Sequence, residues 1–306
     1  MAPSPVPRQC DRSSLHVSLL RLFASPAYKP PVLPAVALEI VQLSQRGDVS
    51  FDQVAPVLER DPLLAAKVFS LAQSALFASR SPVLSLKQAM VRLGLRELRD
   101  LVLEAALHLR VFRAPGYDAL MVRLSRHSAT TAHLIRALCR RTAVEAEYAF
   151  ACGLLHDVGI AACILALSDD PRAGPLAPQH LEPALRDVHM EASGVVTRLW
   201  GLSPEICNVV GTHHQLAVGG TPHPVNAALI VAEELARELD AGMSPPRGPV
   251  PEIVPPLDAN PPELFREACA ALGLDGPALD AARAEGAQVA AVLGARTGAT
   301  ERERSP

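Results

Sequence analysis

An all-helical, multi-helix bundle is the fold class that this 306-residue sequence predicts. Apolar residues recur at helical spacing, and capping residues, prolines and glycines punctuate them as helix starts and stops. Composition agrees. Hydrophobic residues make up 49% but aromatics only 4%, so Ala, Leu and Val must fill the core, which suits close helix packing better than a β-sandwich.

Residues 1–11 are Pro-rich and start no element, and Ser13 to Phe23 has the apolar positions of a short helix. Pro34 opens a helix to about Gln45, and Ser50 caps another that ends near Arg60. Asp61-Pro62 places a cap before a first-position proline, a strong helix start. Ser85 caps LKQAMVRLG, which Gly94 closes, and Leu95 to about Phe112 forms the next helix. Asp118 opens a long helix to about Arg141, with the seam Leu120, Leu124, His127, Thr131, Leu134 and Leu138. Further helices are expected near 145–157, 187–200, 204–214, 225–239, 262–272 and 276–293, with a Pro-rich loop over 241–261 and no strand alternation.

The net charge is −3, which gives no global field for nucleic acid or an anionic membrane. Arg123, Arg126, Arg136, Arg140 and Arg141 crowd one helix; a solvated face explains them better than a nucleic-acid surface. Six cysteines form no CxxC pair, the start MAPSPVPRQCDRSS has no signal-peptide apolar core, and no segment is expected to span a membrane. The expected location is the cytoplasm.

Histidines carry the chemistry. His127 interrupts an apolar seam, as a core histidine donating to a carbonyl or as a ligand. His156-Asp157 ends a helix carrying Gly153, a residue that permits close backbone approach, and is followed by Gly159 as a possible C-cap. An imidazole and a carboxylate side by side suit one cation, or simply a helix end. His189 lies in what reads as the first turn of a helix capped by Asp187, either inward or solvated. His213-His214 ends another helix, where the dipole favours them in any case. Five inward-capable histidines on four successive helices point to a site built between facing helices.

In this order, His127, His156-Asp157, His189 and His213-His214 resemble the ligand set of the HD superfamily of metal-dependent phosphohydrolases, in particular the HD-GYP pattern. Leu33-Pro34, Arg60-Asp61-Pro62-Leu63, Ala66-Lys67-Val68, Leu71-Ala72-Gln73-Ser74-Ala75, Val83 to Ala89, Arg92-Leu93-Gly94, Gly153 to Gly159 and Trp200 to Pro204 resemble the HDOD subfamily over roughly 30–240. In the N-terminal half Gln73 stands where that subfamily has Asn, and Ala78 where it has Gly.

The resemblance implies an HD-type bundle with an N-terminal helical HDOD subdomain. It implies metal ligands at His127, His156, Asp157, His189, His213 and His214, with Glu233 where Asp is usual. The organisation expected is a tail and short helix (1–28), an HDOD domain (29–240, with an N-terminal part 29–115 and an HD-like part 116–240), the loop 241–261, C-terminal helices (262–294) and a disordered tail (295–306).

Ile160 stands where hydrolytic HD-GYP relatives carry Lys, and no Gly-Tyr-Pro stretch follows His214. The expected function is therefore a non-enzymatic signalling module. It would bind a protein partner or small ligand, with Fe, Mn or Zn at a degenerate site. The alternative is a metal-dependent phosphohydrolase acting on nucleotides or cyclic dinucleotides.

Overall fold

The computed structural model describes residues 12–44, 49–74, 77, 85–144, 147–168, 176, 178–243 and 260–302. Residues 1–11, Gln45, Ala75, Ala78, Val83 and all of the expected loop between 244 and 259 lie outside these.

The N-terminal helices are α1 (Arg12–Ala24), α2 (Ala35–Ser44), α3 (Phe51–Glu59), α4 (Pro62–Ala72) and α5 (Leu86–Arg110). Their starts are set locally. Gln53 Oε1 accepts from Ser50 N at 2.9 Å, Asp61 Oδ1 from Leu64 N at 3.0 Å, and Ser85 Oγ from Gln88 N at 3.1 Å. Gly94 takes φ +80°, a conformation that strongly favours glycine, and it kinks α5 where the sequence places a boundary.

The C-terminal two-thirds comprise α6 (Asp118–Cys139), α7 (Ala149–Leu155), α8 (Val158–Ser168), α9 (Pro178–Leu199), α10 (Pro204–Gly211), α11 (Pro224–Glu238), α12 (Pro262–Leu272) and α13 (Gly276–Arg302). The described residues also hold one hairpin, β1 (Ala217–Val218) against β2 (Thr221–Pro222), with Ala217 opposite Pro222. Gly219 and Gly220 both have positive φ, as a two-residue hairpin turn requires. Helix α6 is the spine, with α7, α11 and α13 packed on it and α9 packed on α8 and α10. The main apolar core runs from Leu15 to Leu293, with a small second cluster at Ala72 and Ala89. Helix α1 also packs on α9, and Trp200 Nε1 donates to the Pro31 carbonyl at 2.8 Å, tying the N-terminal stretch to the far end of α9.

Four expectations are corrected. Gly159 does not end a helix; it lies in the first turn of α8, which the sequence reading missed. Helix α9 starts at Pro178, so Asp187 is no cap and His189 sits mid-helix. Helix α13 runs on through 295–302, where a disordered tail was expected. Residues 149–168 include an 18-residue stretch with a mean hydropathy of 2.0, long and apolar enough to cross a membrane by length and composition, contrary to expectation. Here 83% of that stretch is buried inside the protein, and the turn at His156-Asp157 breaks it.

The arginines of α6 are not simply a solvated face. Arg123 Nε donates to the Met243 carbonyl at 3.2 Å. Arg136 pairs with Glu97 and with Asp100 at 2.7 Å and lies 4.1 Å over the Phe150 ring. Arg140 and the adjacent Arg141 both pair with Glu285 on α13.

Candidate metal centre

The turn between α7 and α8 sets the centre's geometry. Neighbouring residues on an unbroken helix point about 100° apart; ending α7 at Leu155 and restarting at Val158 lets His156 and Asp157 face one point. Two glycines bring the walls in. A Cβ at Gly153 would lie 2.8 Å from Ala132 Cα, so α7 meets the backbone of α6. A Cβ at Gly159 would lie 2.3 Å from the His189 carbonyl oxygen, so α8 meets α9 beside that histidine.

Every expected site residue arrives at the same place. His127, His156, Asp157, His189, His213 and Glu233 are buried, and His214 is nearly so. His127 Nε2 stands 3.1 Å from His156 Nε2. His189 Nε2 stands 3.2 Å from His213 Nε2 and 3.1 Å from His214 Nε2. Asp157 divides its carboxylate between the two groups. Oδ2 lies 3.6 Å from His127 and 3.3 Å from His156; Oδ1 lies 3.7 Å from His189 and 3.6 Å from His213. Glu233 borders both groups, with Oε1 3.3 Å from His156 Nε2 and 4.0 Å from His213 Nε2, and Oε2 3.6 Å from His214 Nδ1.

The outer ring nitrogens fix the tautomers. His127 Nδ1 donates to the Ala241 carbonyl at 3.0 Å, so the core-histidine reading and the ligand reading both hold geometrically. His156 Nδ1 donates to Gly153 O at 2.8 Å, His189 Nδ1 to Arg186 O at 2.9 Å and His213 Nδ1 to Val210 O at 2.8 Å. His214 Nδ1 donates to Asn260 Oδ1 at 2.9 Å. A carbonyl only accepts, so each Nδ1 carries the hydrogen and each neutral ring turns an Nε2 lone pair inward.

Lone pairs facing each other near 3.1 Å repel unless a positive charge lies between them. Two nitrogens bound at about 2.1 Å to one ion stand roughly 3.0–3.4 Å apart, the spacing seen here. The donor set therefore fits a cation in each group, His127/His156/Asp157 and His189/His213/His214. The buried His/Asp cluster can hold a metal.

Electrostatics separates the two groups. Burial lowers the His156 pKa, but Asp157 beside it prevails and holds it up at about 9. Burial pushes Asp157 up, yet the imidazoles of His156, His189 and His213 hold it well below the usual carboxylate range. Burial and the neighbouring histidines drive His213 well down, and burial with His189 takes His214 to about 4. Without metal, the neighbouring carboxylate favours a proton on His156, while burial disfavours one on His213 and His214.

Sequence reading missed two supports. Asn226 Nδ2 donates to the carbonyls of Thr212 and Gln215, both at 2.9 Å, clamping the turn that carries His213 and His214. Asn260 bridges His214 and Glu233, its Nδ2 donating to Glu233 Oε2 at 2.9 Å.

The HDOD domain family model matches residues 30–216. The chain belongs to the HDOD family. An uncharacterized protein of Treponema pallidum (strain Nichols) is 25% identical to this HDOD chain over 221 residues, 69% of this chain and 42% of that protein. The chain thus spans less than half of that relative's length.

An HDOD domain protein of unknown function from Geobacter sulfurreducens has a TM-score of 0.67 at 23% identity, covering 92% of this chain and 98% of its own. A protein from Shewanella amazonensis SB2B, provisionally named a metal-dependent phosphohydrolase, has a TM-score of 0.69 at 20% identity, covering 92% and 99%. At these identities the likeness is one of fold.

Proposed function

We propose that this HDOD chain is a non-enzymatic regulatory module that acts in the cytoplasm. It binds a protein partner or a small ligand and retains metal as a structural centre. One observation carries the reading: Ile160, buried at the position where the hydrolytic relatives place Lys, offers a phosphate neither charge nor donor. Three protein groups line each half-site, His127, His156 and Asp157 in one and His189, His213 and His214 in the other, with Glu233 beside His156. Imidazole and carboxylate donors suit Fe, Mn or Zn.

The alternative is a phosphohydrolase for nucleotides or cyclic dinucleotides. It draws on the sharing of Asp157 between two half-sites, an arrangement that two-metal hydrolysis uses.

The deciding experiment is elemental analysis, followed by assays of metal-loaded protein against nucleotides, cyclic dinucleotides and generic phosphodiesters. Bound metal with no turnover is the expected result. Robust hydrolysis that Asp157→Ala abolishes would make the enzyme reading primary.

A further inference from the structure

The C-terminal helices reach the centre from outside the matched family region. Asn260 lies just before α12, beyond residues 30–216. Its two amide atoms hold a histidine of one group and a carboxylate that reaches toward the other. Oδ1 takes the Nδ1 hydrogen of His214, which leaves His214 Nε2 to face His189. Nδ2 holds Glu233 Oε2, while Glu233 Oε1 stands by His156. An amide in this orientation satisfies both neighbours, since His214 needs an acceptor and the carboxylate needs a donor.

The helices behind Asn260 lie against the elements that carry ligands. Helix α12 packs on α11, the helix of Glu233, and α13 packs on α6, the helix of His127. A Cβ at Gly286 would lie 2.5 Å from Leu134 Cδ2, so α13 is seated closely on α6. The chain leaving α11 makes a matching contact, because the Ala241 carbonyl accepts from His127.

We infer that Asn260 is a positioning residue for the metal centre, and that through it metal loading and the docking of α12 on α11 are linked. The inference rests on the metal reading above. Outer groups that orient metal ligands typically change affinity ten- to hundred-fold when removed. Linkage is reciprocal, so a docked α12 that tightens metal binding is itself tightened by metal.

The test uses the full chain and Co(II) as both metal and chromophore. Chelator competition gives affinity, visible absorption reports the coordination of each half-site, and hydrogen exchange follows the amides of 262–272. In the wild type, metal should slow exchange in α12. Asn260→Ala should weaken binding by roughly ten- to hundred-fold and remove that protection, with an unchanged far-UV spectrum. Asn260→Asp keeps the acceptor for His214 but sets a carboxylate against Glu233. It should spare the three-histidine half-site and weaken the His127/His156 half-site.

Wild-type protein that takes up no metal overturns the metal reading and this inference with it. Wild type that binds, with Asn260→Ala of equal affinity, overturns this inference alone. So does equal weakening of both half-sites in Asn260→Asp, or wild-type exchange in α12 that ignores metal.

Discussion

Gly159 and Ser193 are in direct contact: Gly159 N donates to Ser193 Oγ at 2.8 Å, and a Cβ on Gly159 would come within 2.5 Å of Ser193 N. Alanine in a helix is ordinarily about 1 kcal/mol better than glycine. Here the obstructing atoms are backbone, so the clash should win. Gly159→Ala is expected to destabilise the metal-free protein by about 3 kcal/mol or more and to displace His189. Urea unfolding in a chelator, with metal content measured in parallel, checks both effects; unchanged stability would show that α8 and α9 can separate freely.

Removing single ligands should reveal the two half-sites. His127→Ala and His214→Ala act on different groups, so each is expected to lower the metal content by about half, one ion of roughly two. Asp157→Ala, which touches both groups, should empty the centre. Elemental analysis of the three variants reads this directly, and equal total loss in all three would indicate one indivisible cluster.

The metal-free protein should have a bell-shaped stability profile. His214 is held at about 4, below its ordinary 6.5, so the unfolded chain binds more protons in that window and stability falls as pH drops from 6.5 to 4. His156 is held at about 9, above 6.5, so the folded chain binds more protons and stability falls as pH rises from 6.5 to 9. Melting temperature against pH in the presence of a chelator should peak near 6.5. A monotonic rise to pH 9 would contradict the protonated His156.

Asp100 is buried between Arg99 at 2.8 Å and Arg136 at 2.7 Å. Arg136→Met keeps much of the packing on Phe150 but removes one charged donor. The expected cost is roughly 2–3 kcal/mol, that of a charged hydrogen bond lost to a buried acceptor. It should appear as a lower urea midpoint with an unchanged m-value; a change below about 0.5 kcal/mol would mean that Arg99 alone suffices.

The site was legible wherever a residue broke a pattern. His127 stands out because its neighbours along the α6 seam are mainly apolar, and Asp61-Pro62 fixes a helix start by local bonding alone. Helix α8, VGIAACILALS, was hidden because it is apolar on nearly every face; a fully buried helix has no polar stripe to reveal its period. Gly159 then looked like a stop signal, although its role is close packing. The start of α9 was misplaced because Asp187 resembles a cap, while Pro183 inside that helix argues locally against an earlier start. Asn260 and the Ala241 carbonyl carry no local mark at all. Their importance comes from tertiary closure, which spacing does not encode.

The ligands are strung along the chain from His127 on α6 to Glu233 on α11, and this gives the centre a timetable. As the protein is synthesised, His127 is made roughly a hundred residues before Glu233, a wait of about 5–20 s at common translation rates. The three-histidine group is finished earlier, at His214, but Asn260 follows later than every ligand. A metal ion meeting the nascent chain would therefore find the five histidines and Asp157 before it found Glu233 or Asn260, and the complete centre can close only when nearly all of the bundle has left the ribosome.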